Sequence, residues 1–294
     1  MKSAFEEHIY NEIEKYRGVS FPVKTGMLWR LLIKKVDCNK IHPNPEDEFS
    51  MPKVGPSFKI ISEYESAFRR NEQLNMESTE EPLIVEKMYP DGYMIINGHH
   101  RWAAYYRLGR KKVPVSIVNL AHGDDIKQML DKGSGDKRVT LDLDEVVFCE
   151  REDEAAEKKP GFPFGKLYKE RIRLGIPALF NFLSKKGYDI WVYSSKFYSM
   201  DYIRSYLEKY HVNITGIVTG TSKKSISDLK DKKEIDSLIA RKYKHTLHID
   251  NEMVLKIRSG TGEFEEYPIE KDKDNWSQGI MNTFKKMEAN EEKS

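Results

Sequence analysis

The sequence predicts an α/β protein of two domains: a small α+β domain followed by a doubly wound parallel sheet without large insertions. Three observations carry that reading. From residue 139 onward, apolar strand-like runs alternate regularly with helical runs, the pattern of parallel crossovers. Before residue 120, two strand-like runs are instead joined by a Pro-Asp-Gly turn, the mark of an antiparallel hairpin. Between them, "AHGDDIKQMLDKGSGDKR" replaces apolar periodicity with Gly, Ser and charge. The expected organisation is a first domain over 1–120, a linker over 121–138, a second domain over 139–284 and a tail over 285–294 that frays.

The elements follow in order. Phe5, Ile9, Ile13 and Tyr16 have helical spacing, and "MLWRLLIKKV" alternates Trp29, Leu31 and Ile33 as a strand does. Ser57 stands where it can cap a helix carrying Phe58, Ile61, Tyr64 and Phe68 on one side. "PLIVEKMYPDGYMIINGHHRWAAYYRLGRKKVPVSIV" parses as strand, turn, strand, a short helix ending at Gly109, and strand. In the second half "RVTLDLDEVVF", "YDIWVYSS", "ITGIVTG" and "HTLHIDNE" read as strands. "PALFNFLSKKG", "MDYIRSYLEKY" and "KKEIDSLIARKY" read as the helices between them.

Bulk properties narrow the function. The 294 residues, 39% hydrophobic and 11% aromatic, suffice for two real cores. Charged residues reach 33% but balance to +2, which argues against a dedicated electrostatic nucleic-acid binder. Cys38 and Cys149 lie far apart without metal spacing, as expected of a reducing compartment. No apolar run has transmembrane length, and "MKSAFEEHIYNEIEKYR" is helix-patterned rather than a cleavable signal; the expectation is a cytoplasmic protein without a membrane partner.

The second half carries the chemistry. Asp142 and Asp144 end one predicted strand, Ser194 and Ser195 another, and Asp250 the last. Parallel strands bring such ends side by side, so the three carboxylates form a hard oxygen cage suited to Mg²⁺. One carboxylate is then placed to attack phosphorus, while Asp144 donates a proton to the leaving group and later takes one from water. A Ser hydroxyl and a Lys ammonium stabilise the transferred oxygens. His245 and His248, three apart on a strand, face opposite ways, against a two-His metal site.

At these residues the chain resembles the haloacid dehalogenase-like (HAD) hydrolases. "TLDLDEVV" is similar to their first motif, with Asp142 matching the nucleophile and Asp144 the general acid/base. "IWVYSS" resembles the second, through Ser194, and "LHIDNE" the fourth, with Asp250 as metal ligand. The resemblance covers roughly residues 138–260. It implies Mg²⁺-dependent phosphomonoester hydrolysis through an aspartyl-phosphate, with Asp142, Asp144 and Asp250 as metal ligands. It also implies a Rossmannoid, capless fold, since neither gap between motifs holds a cap domain. The third motif is a Lys; Lys233 fits best, Lys232 beside it, with Lys223 and Lys224 as competitors. Asn251 and Glu252 stand where the family often offers a second acid.

The first half offers an anion cradle. Gly98 between strand and helix lets backbone approach a ligand, and helix-start N–H groups favour negative charge. Arg101 can pair with a phosphate or carboxylate, and His99 and His100 can donate hydrogen bonds or titrate near neutrality. The stretch resembles the ParB/sulfiredoxin-like domain in "PLIV", "DGYMII", "NGHHR" and "VPVSIV", over about residues 30–118. That resemblance implies nucleotide or phosphate binding at Asn97, Gly98, His99, His100 and Arg101. His99 replaces the catalytic Cys of sulfiredoxins, which excludes their chemistry. "GHHR" is most similar to the free-serine kinase branch, which implies ATP or ADP. That branch usually has Asp where this chain has Asn97, and its catalytic base is an upstream acid to which Glu46 and Glu48 are candidates.

The combined reading is a Mg²⁺-dependent phosphoryl-transfer enzyme. A phosphatase-like second domain is fused to a nucleotide- or phosphate-binding first domain that doubles as a small-molecule kinase. A phosphorylated small molecule or nucleotide is the expected partner. The alternatives are a DNA- or nucleotide-binding module with a nucleic-acid-end phosphatase, and a non-catalytic nucleotide sensor. The short basic run "RLGRKK" supports nucleic acid weakly against the near-neutral charge.

Overall fold

Ile9, Ile13 and Tyr16 fall one helical turn apart and are buried along α1 (Ala4–Tyr16). The structure is a computed structural model that describes residues 4–76, 79–149, 151–220, 227–258, 264–269 and 276–291. It forms two compact units, one built on residues 1–119 and one on residues 120–223 and 230–294.

In the first unit α1 is followed by β1 (Phe21–Pro22), α2 (Met27–Leu32), β2 (Lys35–Asp37) and β3 (Ile41–His42). Then come α3 (Phe58–Gln73), β4 (Leu83–Tyr89), β5 (Tyr93–Asn97), α4 (His99–Arg107) and β6 (Lys112–Ile117). The sheet order is β2-β6-β4-β5-β3, with β1 paired to β4. β4 and β5 form the antiparallel hairpin, while β4–β6 and β3–β5 are parallel. Alternation along β6 buries Val113, Val115 and Ile117 against Trp102, Ala103 and Tyr105 of α4, with Ile61 and Phe68 of α3. Ser57 caps α3 through a hydrogen bond from the Ile60 N–H.

"MLWRLL" is a helix, not the expected strand. Its good helix formers include no β-branched residue, and the β-branched Ile33 and Val36 arrive only as β2 begins. The alternation of Trp29 and Leu31 was coincidental.

Buried His42 lies beneath the hairpin turn, its Nδ1 2.6 Å from Glu12 Oε2 and its ring against Tyr16. Burial lowers its pKa below the ordinary 6.5, outweighing the opposite pull of Glu12. The unfolded chain therefore binds the proton more readily, so stability falls as pH drops through about 6.5. Urea midpoints should decline from pH 7 to about pH 5. The His42→Gln variant should show a shallower decline in the first unit's transition; an equal slope would contradict this account.

The second unit begins with α5 (Gly123–Lys132), β7 (Lys137–Asp142) and a π-helical turn, Leu143–Val147. It continues through α6 (Phe164–Leu167), α7 (Ile176–Lys185), β8 (Tyr188–Ser194), α8 (Met200–Glu208) and β9 (Gly216–Thr219). α9 (Ser227–Lys242), β10 (His245–Ile249), β11 (Met253–Arg258), β12 (Phe264–Pro268) and α10 (Trp276–Glu291) complete it. The sheet order is β12-β11-β10-β7-β8-β9, parallel from β10 to β9 and antiparallel beyond.

One face of this sheet buries Leu141, Val192 and Ile249 under α7, α8 and α10. The other packs Trp191 with Tyr243 under α5 and α9. Helices on both faces make the sheet doubly wound.

Three expectations differ here. The stretch 121–138 is not a plain linker: Ile126, Met129 and Leu130 line one side of α5 and pack with Trp191 and Tyr243. Asp124 and Asp125 in its first turn favour helix initiation, and Asp125 accepts the His122 N–H. The tail does not fray from 285, because α10 runs to Glu291 and Phe284 and Met287 are buried on the sheet. Finally, the β11–β12 pair widens the sheet beyond the expected strands.

No helix among the described residues is long and apolar enough to cross a membrane. Both cysteines are free, and burial pushes the Cys38 thiol up to about 12, which leaves it inert at neutral pH.

Candidate active site

β7, β8 and β9 follow one another across the sheet, and β10 then returns to the opposite side of β7. The carboxyl ends of β7 and β10 therefore flank a topological switch point, where a crevice opens. Asp142 ends β7, Asp250 follows β10, and Ser194 ends β8 on the other side of β7.

The turn after β7 aims the carboxylates. Asp142 Oδ1 accepts the N–H groups of Asp144 at 2.6 Å and Glu145 at 2.9 Å, capping the π-helical turn. Leu143, Val146 and Val147 anchor that turn in the core. Asp144 is consequently buried, and its Oδ2 takes three donors: Ser194 Oγ at 2.8 Å, the Ser195 N–H at 3.1 Å and Ser195 Oγ at 3.3 Å. Its Oδ1 is buried without a hydrogen bond, and Lys196 Nζ stands 3.5 Å from it. The three donors fix Oδ2 in place, while Oδ1 is the oxygen left without a hydrogen bond.

Asp142, Asp144 and Ser194 thus come together. Asp250 does not join them as a metal cage: among the described residues no three His, Cys, Asp or Glu side chains gather to hold an ion. Asp142 and Asp250 each turn one oxygen back to a neighbouring N–H, the latter to Asn251 at 2.6 Å. The donors of Asp142, Asp144 and Asp250 are the hard oxygens that Mg²⁺ takes. Lys233 lies on α9 with its side chain, like that of Lys232, outside the described residues, as are Lys223 and Lys224.

Several partners had no signal in the sequence. Arg173 joins the turns after β7 and β10, donating to Glu145 O at 2.8 Å and to Asn251 Oδ1 at 2.7 Å, over the Trp276 ring. His248 contacts Thr140 Oγ1 at 2.9 Å; burial lowers its pKa, while Asp250 and Asp142 act on it in the opposite sense. Tyr202 and Tyr206 donate to the Glu170 carboxylate and carbonyl, fastening the segment after the π turn to α8. Lys196 was discoverable, because it directly follows Ser194 and Ser195.

In the first unit Gly98 has φ 102° and caps α4, and a Cβ there would meet Leu83 at 2.9 Å and Arg101 at 3.0 Å. Glycine is required by both backbone and space. Buried His99 accepts the Asn44 N–H on Nε2 at 3.1 Å, with Nδ1 3.5 Å from Asp47 Oδ1. His100 accepts the Ser57 N–H at 3.0 Å. Both imidazoles brace the loop that precedes α3, and Phe49 packs against both rings.

Arg101 departs from the expected phosphate clamp. It is buried, donating to Asn97 Oδ1 at 3.0 Å and to the Glu81 carbonyl at 3.3 Å, and it is paired with the Glu81 carboxylate. A guanidinium so committed ties helix to strand. Glu46 and Glu48 are exposed, while Asp47 is the acid beside His99.

Comparison with known proteins agrees with part of this picture. Residues 32–132 match the ParB N-terminal domain family, from the end of α2 to the end of α5. An ATP-dependent L-serine kinase of Staphylothermus marinus is 49% identical over 39 residues, 13% of this chain. That stretch spans 16% of the kinase's own length.

Proposed function

We propose that this protein transfers phosphoryl groups, with a nucleotide or phosphorylated small molecule held at the start of α4 and a phosphomonoester hydrolysed at the carboxyl edge of the second sheet. The observation that carries the second part is the asymmetric environment of Asp144. One oxygen is saturated by Ser194 and Ser195, and the other is buried without a hydrogen bond, 3.5 Å from Lys196 Nζ.

In the first step an Asp142 oxygen attacks phosphorus. The P–O bond to the leaving group breaks, and Asp144 Oδ1 gives that oxygen its proton. In the second step Asp144 takes a proton from water, whose oxygen attacks the aspartyl-phosphate and releases phosphate and free Asp142. Ser194 and Ser195 hold Asp144 in one rotamer through both steps.

The ParB-like match and the kinase similarity support a nucleotide, ATP or ADP, for the first unit. Its binding surface is the first turn of α4 after Gly98, with the neighbouring 44–57 loop braced by His99 and His100. The fusion suggests that the first unit makes or recruits the compound on which the second acts.

Asp144→Asn tests the acid/base role. Turnover of an alkyl ester such as glycerol phosphate should fall about 100-fold or more. Formation of the phosphoenzyme from p-nitrophenyl phosphate, measured as the burst of nitrophenol, should fall far less, because that leaving group needs no proton. Equal losses for both substrates would show that Asp144 only supports the turn.

A further inference from the structure

We propose that Lys196 is the side chain that grips the phosphoryl oxygens at this site, the position for which sequence pattern points to Lys233. The inference rests on the phosphoryl-transfer reading and deepens it.

The backbone of Lys196 is pinned at the rim of the sheet. Its N–H donates to Ser194 Oγ at 2.9 Å, and its carbonyl accepts the Gly220 N–H at 2.9 Å. Its side chain is the opposite, 62% exposed, with Nζ 3.5 Å from Asp144 Oδ1. That oxygen accepts no hydrogen bond, so the ammonium lies beside it without being locked to it. A pinned backbone with a free head suits a cation that must meet an incoming anion. Moving Nζ onto a ligand gives up a 3.5 Å contact that is not a hydrogen bond.

The neighbouring cation, Arg173, is unsuited to the same task. Its two terminal nitrogens are spent on Asn251 and Glu145 at 2.7 and 2.8 Å, bracing the two turns. A phosphoryl dianion over Asp142 would face two carboxylates, and Lys196 supplies positive charge within reach of that position.

The test uses the full-length protein and four variants: K196M, K196R, K233M and D142N. Phosphate affinity is measured by calorimetry with inorganic phosphate, and turnover with p-nitrophenyl phosphate. Lys196→Met should weaken phosphate binding and raise KM about tenfold or more. Lys196→Arg should recover most of that loss, which a merely structural role would not require. Lys233→Met should raise KM less than Lys196→Met does.

If K196M leaves KM and phosphate affinity unchanged while D142N abolishes turnover, the Lys196 assignment is wrong and the reading of the site stands. A loss confined to K233M says the same and names the alternative. If D142N retains turnover, or the parent neither binds nor releases phosphate, the reading itself fails and the assignment falls with it.

Discussion

Replacing Asp142 by Asn should lower phosphate release by about 1,000-fold or more, the scale on which removing a covalent nucleophile acts. The carboxamide oxygen can still accept the N–H groups of Asp144 and Glu145, so the π-helical turn keeps its cap. The amide nitrogen replaces the oxygen that attacks, and its lone pair is delocalised. Binding of inorganic phosphate should survive, because Lys196 remains beside the site. The check is kcat on p-nitrophenyl phosphate alongside the thermal midpoint. A large drop in kcat at an unchanged midpoint separates chemistry from folding.

The largest effect on stability should come from Gly216→Ala. Gly216 opens β9 and lies flat against the indole of Trp191, and a Cβ there would meet ring carbons of Trp191. Trp191 is fully buried and cannot retreat, since its Nε1 donates to Tyr243 OH at 3.1 Å. Tyr243 OH in turn donates to Asp189 Oδ2 at 3.0 Å, and Asp189 also accepts the Ser134 N–H at 3.3 Å. Overpacking so well-tied a ring costs about 3 kcal/mol. In a unit of this size that is a fall of roughly 6–12 °C in thermal midpoint. Pairing it with Trp191→Leu, which empties the space the new methyl needs, should make the two losses less than additive. Full additivity would show that the contact is not the cause.

The strands of the second sheet were legible because their apolar residues and flanking Gly and Pro mark them whatever lies on either face. The same rule misread "MLWRLL", where alternation and helical pattern coincide over a few residues and propensity decided. It also missed α5: a short amphipathic helix amid Gly, Ser and charge is identifiable only through Ile126, Met129 and Leu130, whose partner Trp191 is distant in sequence.

At the site, the meeting of Asp142 and Asp144 with Ser194 followed from parallel topology, since strand ends align. What periodicity does not encode is the nearest hydrogen-bond donor. Asp250 turned to the Asn251 N–H, and Arg101 turned inward to Asn97 and Glu81. Lys196 and Arg173 gained their positions from backbone bonds and turn contacts that no spacing rule reports.

The most direct test of the account is acid quenching of the Asp144→Asn variant during turnover of p-nitrophenyl phosphate, followed by peptide mass spectrometry. The step that removes the phosphoryl group is slowed in this variant, so a phosphoryl adduct should accumulate on the peptide containing Asp142 and vanish when Asp142 is also replaced. An adduct on a histidine of the "GHHR" turn, or none during measurable turnover, would contradict it.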